Sequence, residues 1–182
     1  MSDGILWGHA IPFAARSLRW FKLLLLDDQD LREYLSDGAM SHLSKMREII
    51  KDSSKDVLEI VSDYLRAFWK HVLEEVANHI GLPRLEESPF TVVVTVPAMW
   101  KSHVRSRMRT AIMNAGILDK ANTVFHFISE PEAAALAQLQ QLHDTGSVHT
   151  GDCVTLADFG GGTVVSIVLG SRWFSSSEII GH

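Results

Sequence analysis

The sequence predicts an α/β protein built on a mixed sheet with packing helices. Three observations carry that expectation. Two β-branched runs, Phe90-Thr-Val-Val-Val-Thr-Val96 and Thr123 to Ile128, are each followed by a segment with helical patterning. Two further apolar runs, Cys153 to Ala157 and Val164 to Leu169, are joined through an acid and three consecutive glycines. A succession of strand, helix, strand and helix favours a sheet with right-handed crossovers, whereas the last two runs are close enough in sequence to pair as a hairpin.

In chain order, Leu18, Phe21, Leu24 and Leu25 have helical spacing, interrupted by Asp27 and Asp28. Leu31, Tyr34 and Leu35 then suggest a second short helix or loop ending near Gly38. The clearest helix is expected to begin at Ser53 or Ser54, where a hydroxyl can cap free N–H groups and Asp56 adds negative charge to the first turn. Val57, Ile60, Val61, Tyr64, Leu65, Phe68, Val72, Val76 and Ile80 follow one face for about six turns, and Gly81 and Pro83 stop it. The run ending at Val96 is continuous enough to be buried on both faces, and Pro97 ends it. A helix from Ser102 to Ala115 turns Val104, Met108, Ala111, Ile112 and Ala115 inward, with Gly116 at its end. Glu130-Pro131 opens a further helix over Glu132 to Leu142, because proline suits the first helical turn. His143 to Asp152 reads as a polar loop, and Ser175 to Ser177 as part of a loose tail.

Composition narrows the function classes. The 182 residues are 46% hydrophobic with a formal charge of -5, which supports a globular core and argues against a general nucleic-acid binder. The apolar run Leu23 to Leu26 is far below the length of about 20 residues that a bilayer requires, so no membrane association is expected. The single cysteine, Cys153, cannot form an intramolecular disulfide and lies in an apolar run, where packing is the expected role and a reducing, cytoplasmic compartment the expected setting.

The stretch Asp158-Phe-Gly160-Gly161-Gly162-Thr163 carries the chemistry. Glycines let a turn bring backbone N–H groups close to an anion, the Thr163 hydroxyl is a further donor, and an acid beside such a turn can hold metal-bound water. The plainer reading is a glycine hairpin with an acid at its mouth. Glu130, between a strand and a helix, either faces a cleft or caps the helix at Pro131. Lys101, His103, Arg105, Arg107 and Arg109 form a basic stretch that is better read as a solvated helix face than as an anion site. The nine histidines show no metal-ligand spacing; His71 and His79 share a helix but stand too far apart for one ion, and the Phe68-Trp69 pair reads as core.

Three segments in order resemble the ATPase domain of the seventy-kilodalton heat-shock chaperones: Phe90 to Ala98, Ile128-Ser-Glu130-Pro131-Glu-Ala-Ala-Ala-Leu136, and Ala157-Asp158-Phe-Gly-Gly-Gly-Thr163. Trp100-Lys101 and the Leu18 to Leu26 segment are most similar to a divergent chaperone-like branch. The resemblance implies a partial actin-like ATPase fold, of the ribonuclease H-like kind. It assigns residues 1–143 to the latter part of a first lobe, 144–152 to a linking loop, and 153–182 to the start of a second lobe, including its first β-hairpin. It also implies ATP and magnesium as cofactors, with Gly160, Gly161, Gly162 and Thr163 on phosphate. Asp158, acting through water at the metal, and Glu130 are the implied catalytic acids. Client or co-chaperone proteins are the implied partners.

Departures from that pattern set further expectations. Met1 to Ala15 contains no Asp-x-Gly-Thr phosphate loop, no lysine stands near Trp7-Gly8-His9-Ala10, and Val165 occupies the place of a second aspartate. The expected protein is thus an incomplete ATPase, not hydrolytically competent alone. Alternatives are a degenerate lobe that binds a protein partner, or a small-molecule kinase of the same superfamily.

Overall fold

The structure, a computed structural model, describes residues 6–147, 152–159 and 164–169. Its elements are α1 (Asp28–Tyr34), α2 (Asp37–Asp52), α3 (Val57–Ile80), α4 (Leu82–Glu87), β1 (Thr91–Val96), α5 (Ser102–Asn114), β2 (Val124–Ser129), α6 (Glu130–Asp144), β3 (Val154–Phe159) and β4 (Val164–Leu169), with short 3₁₀ turns at Gly8–Ala10 and Phe21–Leu25. Contacts divide the chain into two compact units: Met1–Thr91 with Lys101–Val124, and Val92–Trp100 with Phe125–His182. The tail around Ser175 to Ser177, the glycine loop Gly160 to Thr163 and most of the centre of the linking loop lie outside the described residues.

The first unit is helical. Its core draws Leu24 and Leu25 from the second 3₁₀ turn, Leu31 from α1, Leu43, Met46 and Ile50 from α2, Val61 from α3, and Val104, Met108, Ala111 and Ile112 from α5. The helix expected around Leu18 is the 3₁₀ turn Phe21–Leu25, entered through Trp20 at φ 56°. Gly38 ends nothing: it lies in the first turn of α2, whose N-cap Ser36 accepts a hydrogen bond from the Ala39 amide. α2 itself is an element the sequence reading passed over, although Leu43, Met46 and Ile50 recur at helical spacing and all three are buried.

α3 starts three residues later than Ser54. Asp56 is the N-cap, its carboxylate accepting from the Glu59 amide while Glu59 accepts from the Asp56 amide, which satisfies two otherwise free N–H groups. Ser53 instead closes α2, its hydroxyl donating to the Ile50 carbonyl. The long apolar stripe is covered mainly at its start: Val61 is buried, but Phe68, Val76 and Ile80 are 41%, 37% and 39% exposed. The Phe68-Trp69 pair is therefore not core. Phe68 packs edge-on to Trp7, and half-buried Trp69 packs against Phe90, whose ring lies 4.1 Å from Lys120 Nζ. Gly81 ends α3 with φ +85°, and Pro83 falls in the first turn of α4.

α5 follows its expectation closely: Val104, Met108, Ala111, Ile112 and Ala115 are buried, and Gly116 leaves the helix at φ +77°. It packs against α3 and the Phe21–Leu25 turn. An apolar cavity of about 570 Å³ in the same unit is lined by residues including Trp7, Ile11, Leu18, Phe21, Ile60 and Tyr64. Lys55 and Asp63, 2.5 Å apart, also border it.

β1 and β2, which lie in the second unit apart from Thr91 and Val124, form a small two-stranded parallel sheet, and the Val124 amide donates to the Phe90 carbonyl at its start. β1 is not buried on both faces. Its burial alternates, Val93 is 53% exposed, and only Val96 is fully buried, so one face of the strand is left largely uncovered. β3 and β4 pair antiparallel from Val154 opposite Leu169 to Phe159 opposite Val164, and α6 packs on both strands. Cys153 lies just before β3 and is exposed, so it has no packing role. Among the described residues no helix is long and apolar enough to cross a membrane.

Two outcomes test these assignments. Asp56→Ala should lower stability by about 1 kcal/mol in denaturant unfolding, whereas Ser54→Ala should be nearly neutral. The Asp63 carboxyl is held below its ordinary range by hydrogen bonds from Lys55 and Arg66. A carboxyl depressed in the folded state stabilises above its unfolded pKa and loses that contribution as pH falls through the folded value. The stability gap between wild type and Asp63→Asn, about 0.2–1 kcal/mol for such an exposed pair, should hold from neutral pH to about pH 5 and close below about pH 4.

Candidate functional site

Strand pairing fixes the frame of the glycine stretch. Asp158 and Phe159 belong to β3, two residues beyond the expected end at Ala157, so the connection consists of residues 160–163 alone. Asp158 is the direct register partner of Val165. The position where the resemblance expects a second aspartate is thus the cross-strand neighbour of the first, at a Cβ separation of about 4.5–5.5 Å for such pairs. With valine there, the pair of positions offers one carboxylate.

Glu130 begins α6 immediately after β2. Both Glu130 and Glu132 place negative charge in the first turn of the helix, and Ser129 with Glu132 forms a side-chain cap. Ser129 Oγ accepts from the Glu132 amide at 3.3 Å and donates to the Glu132 carboxylate at 3.4 Å. Ser129-Glu-Pro-Glu132 is therefore a capping-box sequence with Pro131 inside the first turn. Glu130 is half-buried, on the helix that packs on the hairpin bearing Asp158. Ala135 and Leu139 of that helix are buried, which accounts for the small residues after Glu132.

The segment where the resemblance expects a lysine has a packing role instead. Trp7, just before the Gly8–Ala10 turn, sets its ring edge-on to Tyr64, Phe68 and His71 at 6.3, 5.8 and 5.4 Å.

The basic stretch after Trp100 is the feature that sequence reasoning misjudged. It is not simply a solvated face. Lys101 Nζ donates to Asp30 Oδ1 at 2.5 Å and to Glu33 at 3.3 Å, and Arg107 donates to the Leu25 carbonyl. His103 Nε2 lies 3.0 Å from Asp30 Oδ2 and 3.6 Å from Asp27 Oδ2. Asp30 is 1% exposed, and its carboxyl is held below the usual range chiefly by the Lys101 hydrogen bond, against the opposing effect of burial. The same bond raises Lys101 well above the ordinary lysine value. Nothing in local spacing links Asp30 to Lys101, 71 residues away. The local sequence gives no signal for it, since Asp30 follows the exposed Asp27, Asp28 and Gln29 and only Leu31 beside it is buried.

Comparison with known proteins gives partial similarities. The chain is 33% identical over 108 residues to human heat shock 70 kDa protein 12B, covering 56% of this chain and 16% of that protein. It is 36% identical over 80 residues to human and mouse heat shock 70 kDa protein 12A, covering 43% of this chain and 12% of each relative. The aligned part thus spans under one fifth of these relatives' length. No family model and no solved structure matches. The similarities support a distant relationship to the seventy-kilodalton heat-shock proteins.

The cap assignment is testable by substitution: Ser129→Ala should cost about 1 kcal/mol in equilibrium unfolding.

Proposed function

We propose that the chain is a nucleotide-binding, chaperone-like protein in which residues 160–163 offer backbone N–H groups to a phosphate and Asp158 orients metal-bound water. The observation that carries this reading is the hairpin register. Asp158 is the penultimate residue of a paired strand, and Gly160-Gly-Gly-Thr163 is the whole of the connection to its partner. Few other compositions let main-chain donors come so near an anion. The relationship to heat shock 70 kDa proteins 12A and 12B supports the same reading.

Magnesium, when bound, would neutralise charge on the phosphate oxygens. The residues suit the phosphate part of this task and are one carboxylate short for the metal part, since Val165 stands opposite Asp158. Glu130, on the helix packed against the hairpin, is the second acid available to order water. Binding without efficient hydrolysis is the activity this set of residues supports, because phosphoryl transfer depends on positioning and charge neutralisation together.

The exposed apolar residues Phe68, Val76 and Ile80 of α3, continued by Leu82, favour a second reading. In it a client or co-chaperone protein docks on this helix, and nucleotide is dispensable.

Calorimetric titration with ATP and magnesium, combined with phosphate-release measurements, separates these readings. Weak binding abolished by Asp158→Ala, with no turnover, is the expected result. Turnover comparable to that of intact heat-shock ATPases would refute the claim of impaired hydrolysis. The absence of any heat or thermal shift at millimolar ATP would favour the protein-docking reading.

A further inference from the structure

The structure points to a second site, in the first unit and independent of the glycine loop. We propose that Asp27, Asp30 and His103 bind one divalent transition-metal ion of the zinc class.

The three groups come from the start of α1 and the first turn of α5, and one ligand atom from each lies within 4.8 Å of the other two. Each residue's other commitments leave one atom over. Asp27 Oδ1 caps α1 by accepting from the Asp30 amide at 2.8 Å, leaving Oδ2. Asp30 Oδ1 receives the Lys101 ammonium, leaving its own Oδ2. That remaining oxygen is buried and makes no hydrogen bond.

A buried carboxylate oxygen without a donor is costly, and such an atom calls for an explanation. His103 Nε2 is 3.0 Å away, at ion-pair distance. Coordination makes a different demand: the lone pairs of oxygen and nitrogen must point at a shared centre, not at each other. In a tetrahedral site with bonds of about 2.0–2.1 Å, neighbouring ligand atoms stand about 3.3 Å apart. The distances from His103 Nε2 to the two carboxylate oxygens, 3.0 and 3.6 Å, bracket that edge length.

Charge agrees with this assignment. Asp27, Asp30 and Glu33 contribute three carboxylates against the single ammonium of Lys101, an excess of two negative charges among these four side chains. One imidazole with two carboxylates suits zinc or cobalt. Magnesium prefers oxygen ligands in octahedral geometry and is disfavoured here. The side chains of Asp27 and His103 are 55% and 46% exposed, so an ion can enter from solvent and keep water as a further ligand.

The test is thermal unfolding of the whole chain without nucleotide, against zinc chloride, with cobalt chloride as a spectroscopic probe. Micromolar zinc should raise the unfolding midpoint by several degrees, chelator should reverse the rise, and millimolar magnesium should give no comparable shift. Cobalt should develop visible absorption characteristic of low coordination number. His103→Ala and Asp27→Asn should each abolish both signals, whereas His126→Ala, at an exposed position outside the cluster, should keep them. Retention of the zinc response in His103→Ala would overturn the proposal. So would zinc-independent unfolding of the wild type, since both would leave the cluster as an ion-pair network alone.

Discussion

The apolar seam of α5 is the constraint on which the first unit depends. Val104, Ala111 and Ile112 are fully buried, and the helix meets both α3 and the Leu24–Leu25 region of the preceding 3₁₀ turn. A helix used this way presents one stripe to its neighbours, so its remaining side chains emerge at the seam's edges. There Lys101, His103 and Arg107 find the carboxylates of α1 and the Leu25 carbonyl. The polar network is a consequence of the packing: bringing α5 against the Leu24 to Leu31 region carries Asp30 out of water, and a buried carboxylate then requires a partner.

Helix starts supply the second kind of constraint. Asp56 with Glu59 and Ser129 with Glu132 are two uses of one device, an acceptor at the N-cap with an acid three residues later. At α6 this device overlaps the Ser-Glu-Pro-Glu segment on which much of the resemblance rests. Part of that segment is thus accounted for by helix initiation.

The hairpin joins these structural arguments to function. Register makes Asp158 and Val165 cross-strand partners, so in the proposed reading the valine stands where a second carboxylate would face the first. The proposed phosphate contact needs no second acid, because it would be made through the backbone.

Local patterns by themselves determined the α5 helix and its inward residues, the stop at Gly81, the two strand runs around it, and the β3–β4 pairing across the glycines. In each, the determining physics is local: apolar periodicity, a residue suited to positive φ, or a short connection between β-branched runs. Only tertiary structure decided which apolar faces would be covered. The apolar stripe of α3 and the valines of β1 run the length of each element, yet Phe68, Ile80 and Val93 remain exposed, because coverage depends on which neighbours arrive. The same is true of the cluster at Asp27, Asp30 and His103. Its members lie in segments far apart in the chain, and their convergence follows from helix packing that no local spacing encodes.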